Sequence, residues 1–118
     1  MMRKRMATDR MIQDNERPIS EEYRIIAKKW VDADAAASLL EETKSSVLAR
    51  YMTDLVGDMS VSKAEMIVKA SDEWREFITN MVNARKEASK LKVQLEYIRM
   101  KFSEWQSFEA SKRAEMRL

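Results

Sequence analysis

Three groups of carboxylates are the first residues whose spacing could do chemistry: Glu21-Glu22, Asp32 with Asp34, and Glu41-Glu42. Acids converging from two helices can share a proton or hold a metal ion, but helical sites of that kind usually add histidine. This chain has no histidine and no cysteine, which excludes a zinc knuckle, a thiol nucleophile, a Ser-His-Asp triad and a disulfide framework. A single glycine, Gly57, cannot build a phosphate-cradling loop or a dinucleotide fingerprint. The acids therefore read as solvated or salt-bridged helix surface. The expectation is a protein without catalytic residues, metal, cofactor or small-molecule ligand.

Bases offer the second constellation. Between residues 85 and 101 stand Arg85, Lys86, Lys90, Lys92, Arg99 and Lys101 against Glu87 and Glu96. Arg85, Lys92 and Arg99 recur every seven residues, so on a helix they form one stripe about 21 Å long. With Arg3, Lys4 and Arg5 near the N-terminus, such a stripe could follow a phosphate backbone; Arg85, Lys86, Lys92, Arg99 and those three bases are the candidate nucleic-acid contacts. The competing reading is that they flank a helical seam and pair with acids of the preceding helix, Asp32 falling beside Lys86. The overall charge of +2 is too near balance for a general polyanion binder.

Phe102, Trp105 and Phe108 form the third group. Aromatic rings beside Lys101, Lys112 and Arg113 could stack on single-stranded bases. Two of the three continue a heptad seam, however, and this favours an oligomer or partner interface. Ten methionines are scattered along the chain rather than gathered on one face, as filler in helical packing is.

The elements that position these groups follow from pattern. At 118 residues, 45% hydrophobic and 36% charged, the chain is one domain built from amphipathic helices. Residues 1–18 read as a basic N-terminal arm ending at Pro18. Ser20 offers an N-cap with Glu21 and Glu22 in the first turn, and nothing breaks a helix from about 20 to 56. Gly57 stands where a left-handed C-terminal residue is wanted, and residues 57–61 form the turn. Ser62 to Glu65 fits a capping box, with Val61 stapled onto Met66, opening one helix from about 62 to 115.

That second helix carries an apolar residue at alternating steps of three and four: Ile67, Ala70, Trp74, Phe77, Met81, Ala84, Ala88, Leu91, Leu95, Ile98, Phe102, Trp105. A strict 3.5-residue period implies a left-handed supercoil with a partner helix. The first helix has a stripe through Tyr23, Ile26, Trp30, Ala33, Ala37, Leu40, Lys44, Val47 and Tyr51. A short turn folds the two antiparallel. In that hairpin Trp30 faces Ala88, Met81 faces Ala37, Leu40 meets Phe77 and Ile78, Lys44 falls opposite Trp74, and Tyr51 meets Ile67. The fold class is thus all-α, a long coiled-coil-like antiparallel hairpin completed by oligomerisation. The first helix runs out opposite Ile98, leaving the aromatic end uncovered unless Met6, Met11 and Ile12 fold back or a second chain supplies the cover.

The stretch from Ala84-Arg85-Lys86-Glu87-Ala88 through Trp105-Gln106-Ser107-Phe108-Glu109-Ala110-Ser111-Lys112-Arg113-Ala114-Glu115-Met116-Arg117 resembles small helical accessory proteins of phage and prophage early regions. In those, a long amphipathic helix ends in a tryptophan and a short polar stretch with Arg, Ala and Glu. The resemblance implies a phage-encoded accessory factor lying beside recombination or single-strand functions, and it transfers no site residue. Two functions are expected from these observations. The first is a non-enzymatic, self-associating interaction module, a homodimer that acts as accessory or inhibitor on a protein complex. The alternative is a nucleic-acid-binding factor without sequence specificity in DNA recombination or replication. No apolar run reaches membrane-spanning length, and a cytoplasmic protein is the simplest expectation.

Overall fold

The computed structural model describes residues 18–117; the arm residues Arg3, Lys4, Arg5, Met6, Met11 and Ile12 lie outside the described residues. Those described form an all-α antiparallel hairpin of three helices in chain order: α1, Ile19–Val56; α2, Val61–Lys69; α3, Asp72–Met116. None of the three is long and apolar enough to cross a membrane. Contacts divide into two compact units, one of Val31–Ser89 and one joining the helical residues up to Trp30 with those from Lys90 onward.

Helix α1 starts at Ile19, two residues earlier than an N-cap at Ser20 would place it. The Pro18 carbonyl accepts from the Glu21 and Glu22 amides at 2.9 and 3.0 Å, so Pro18 ends the helix and Ser20 lies inside the first turn. Glu21 binds Arg24 one turn on, at 2.6 Å. At the other end Gly57 does not take a left-handed conformation. The Asp58 amide closes the helix onto the Leu55 carbonyl at 3.1 Å, a tightened last turn that needs no positive φ.

The expected second helix is two helices. Ser60, not Ser62, caps α2: its hydroxyl accepts from the Lys63 amide at 3.3 Å. Val61 and Met66 are 59% and 73% exposed, so no staple forms between them. The break falls at Ala70-Ser71. Ser71 donates its hydroxyl to the Val68 carbonyl at 2.6 Å, and the same oxygen accepts from the Trp74 amide at 3.2 Å. One side chain thus closes α2 and caps α3, and Asp72 and Glu73 place negative charge at the new helix N-terminus.

The break resets the helical phase. From Trp74 onward the inward residues follow the heptad: Trp74, Ala88, Leu95 and Ile98 are buried, with Phe77, Met81, Ala84 and Leu91 half-buried. Before it, Ala64 and Val68 point inward while Ile67 and Ala70 are exposed. The end of α1 adjusts to match. Met52 is buried and Tyr51 exposed, so the pair Tyr51–Ile67 is replaced by Met52 packing with Ala64, Val68 and Trp74. Around that cluster sit Val47, Leu48, Leu55, Met59, Phe77 and Ile78, and Trp74 stacks on Phe77 at 5.5 Å between centroids. Lys44 is exposed, and no cation sits on Trp74 among the described contacts.

Candidate functional site

In the unit of residues 31–89, Asp34, Ser38 and Glu41 lie on one face of α1, at helical spacings of four and three. Across from them, α3 presents Arg85. Its guanidinium donates to both Glu41 carboxylate oxygens at 3.0 and 2.6 Å, to Asp34 at 2.7 Å and to the Ser38 hydroxyl at 3.3 Å. The planar fork of arginine matches this bidentate geometry, which an ammonium could not reproduce. The hydrogen bond from Arg85 holds the Glu41 carboxyl below its ordinary range. The bonds from Glu41 and then Asp34 push the Arg85 guanidinium still further above its own. Of the carboxylate groups singled out above, Glu21 binds Arg24 on its own helix, and Asp34 and Glu41 act as ligands of Arg85 on α3. Among the described residues no three acidic side chains come together as a metal site would need.

In the other unit, the partner of α3 is Tyr23. Arg99 donates to the Tyr23 hydroxyl at 2.8 Å, and its guanidinium carbon lies 5.8 Å from the ring centroid. A single arginine thus makes a hydrogen bond and a cation–π contact with one side chain. Beside this pair, Ile19, Ser20, Tyr23, Ile98, Arg99 and Phe102 line a groove of about 250 Å³ where α1 begins.

Past the groove, α3 continues to Met116 with no described helix opposite it. Phe102 stacks on Trp105 at 6.0 Å and an interplanar angle of 24°. These rings and Phe108 are 38%, 52% and 65% exposed. Three large rings within two turns form an apolar patch of the kind that soluble proteins use as contact surface.

The candidate nucleic-acid contacts have separated. Arg85 and Arg99 are held by side chains of α1, whereas Lys86 and Lys92 are exposed and make no ion pair among the described residues; Arg3, Lys4 and Arg5 lie outside the described residues. The pairing of seam-flanking bases with acids of the first helix occurs, but between Arg85 and Asp34 rather than Lys86 and Asp32. Asp34 and Glu41 stood out in the sequence as acids and Tyr23 as a seam residue, but not as partners of Arg85 and Arg99, and Ser38 did not stand out at all. The seven-residue spacing of Asp34 and Glu41 was the available signal, since it puts both acids on one helix face. Compared with protein-family models, curated proteins and solved structures, the chain matches none.

Proposed function

We propose that this chain is a non-enzymatic, self-associating helical module that works by docking, through the aromatic end of α3, onto a second copy of itself and onto a protein complex. The observation that carries this reading is the exposure of Phe102, Trp105 and Phe108 on a stretch of α3 that no described helix covers. Apolar rings left in water cost free energy that a partner surface recovers, and aromatic side chains lose little entropy on being fixed. The resemblance of the C-terminal stretch to phage and prophage accessory proteins favours an accessory or inhibitor role.

Direct nucleic-acid binding is the weaker reading. A phosphate-following stripe needs free cations, and Arg85 already has two carboxylates while Arg99 is turned onto Tyr23. The test is light scattering on the full chain and on the double variant Phe102→Ala/Trp105→Ala. The wild type should elute as an oligomer and the variant as a monomer with unchanged helix content. Equal masses for the two would overturn the reading, and tight oligonucleotide binding that falls steeply with salt would replace it.

A further inference from the structure

The seam of α3 does not stop at Trp105. The same alternation of three and four continues through Glu109, Lys112 and Met116, so the tail presents two rings, then an acid and a base, then a methionine. A parallel partner would set Glu109 against Glu109 and Lys112 against Lys112 in the middle of the interface. Like charges at seam positions oppose association. An antiparallel partner replaces both clashes with favourable pairs.

Resting on the self-association proposed above, we infer that a second copy docks antiparallel along the α3 tail, with a two-fold axis beside Ser107. Phe102 then faces the partner's Lys112, whose stem packs on the ring while its ammonium lies over the face. Trp105 faces the partner's Glu109, an acceptor for the indole N–H. The partner's Met116 reaches the groove between the start of α1 and Ile98, and a flexible thioether suits an irregular gap. The partner's tail thus takes over the seam of α3 where α1 leaves it.

The flanking positions agree with this register. Lys101 opposes the partner's Glu115, and symmetry makes that ion pair twice. Gln106 and Phe108 each meet their own copy near the axis. Arg99 comes opposite the partner's Arg113, but its guanidinium is already bound to Tyr23. Sliding one heptad in one direction lays the partner along Leu91 and Leu95, where α1 already packs, whereas in the register above only Met116 reaches the edge of α1 at Ile98. Sliding the other way takes Lys112 off Phe102 and sets it against Glu109. The exposed parts of the three rings supply roughly 600 Å² in the dimer, taking about 200 Å² for a whole aromatic side chain. With the stems of Lys101, Lys112 and Met116, the interface reaches the lower end of what a specific dimer buries.

The chain has no cysteine, so single cysteines report the register without background. Full-length Gln106→Cys and Met116→Cys are treated with a short bismaleimide and compared. Gln106→Cys should cross-link, and Met116→Cys should not, because the two copies of position 116 lie about 27 Å apart along the antiparallel pair. Separately, Lys101→Glu should raise the dimer Kd roughly threefold to tenfold, and Lys101→Glu/Glu115→Lys should restore it. A dimer that cross-links at position 116 overturns the antiparallel arrangement and leaves self-association standing. A monomeric chain overturns both, and if its Trp105 is nevertheless shielded from quenchers, the cover belongs to residues 1–17 of the same chain.

Discussion

Replacing Trp74 by alanine should cost the fold about 4 kcal/mol. The ring is 6% exposed and packs with Met52, Ala64 and Val68 at the point where all three helices meet. It also stacks on Phe77 at 5.5 Å. Burying a tryptophan removes roughly 200 Å² from water, worth about 5 kcal/mol at 25 cal/mol per Å². Partial collapse of Leu48, Leu55 and Ile78 into the space recovers some of this, and measured Trp→Ala losses in cores run at about 3–5 kcal/mol. At this chain length one kcal/mol lowers the melting temperature by about 5 °C, so the variant should melt some 20 °C earlier. The assay is urea and thermal unfolding followed by circular dichroism, at one fixed protein concentration because association adds apparent stability. Tyr97→Ala is the internal control: its ring is 65% exposed and lies outside the association surface, so the fold should lose under about 1 kcal/mol. If Trp74→Ala cost no more than Tyr97→Ala, the three-helix cluster would not be the core.

Three further outcomes follow from the same geometry. Ser71→Ala removes a helix cap and a donor to Val68 together and should cost about 1–2 kcal/mol in urea unfolding, whereas Ser62→Ala should cost almost nothing because Ser60 is the cap. Gly57→Ala should stabilise by about 0.4–1 kcal/mol, since the added methyl meets no atom within 4 Å and φ is not positive; a loss in calorimetry would contradict the backbone conformation. The Arg85 cluster should make melting pH-dependent. Because Glu41 titrates lower in the fold than its ordinary 4.5, its contribution is present above that pH and is lost as pH falls through the lowered value. Arg85→Gln should flatten that acid limb of the melting curve, and an unchanged limb would show that Glu41 does not contribute.

The fold was legible because heptads are a long-range signal. Positions from Trp74 to Ile98 repeat often enough that one exception does not hide the pattern, and an all-α hairpin follows from them. The break at Ser71 was hidden by that same regularity. Ile67 and Ala70 fit the seam by type, so the stripe extends through residues that are exposed once Ser71 resets the phase. Ser71-Asp72-Glu73 carried the signature of a new helix, but neither Gly nor Pro marked it. Reading Gly57 as a left-handed cap used residue type where the last turn could close by a 3₁₀ bond instead. The Arg85 clamp depends on how far apart two helices lie and in what register. Sequence placed acids and bases on facing stripes, while Arg85 takes Asp34 together with Glu41, two acids that their seven-residue spacing puts on one face of α1. The exposed aromatic end was legible from counting alone, since α1 has fewer residues than the seam it must cover.

If the uncovered end of α3 is an association surface, sedimentation velocity of the full-length chain over a wide dilution series should show a species of twice the chain mass at high concentration. That species should dissociate on dilution into the micromolar range, and Phe102→Ala/Trp105→Ala should be monomeric throughout. A wild-type chain that sediments as a monomer at every concentration would mean that the aromatic end does not associate.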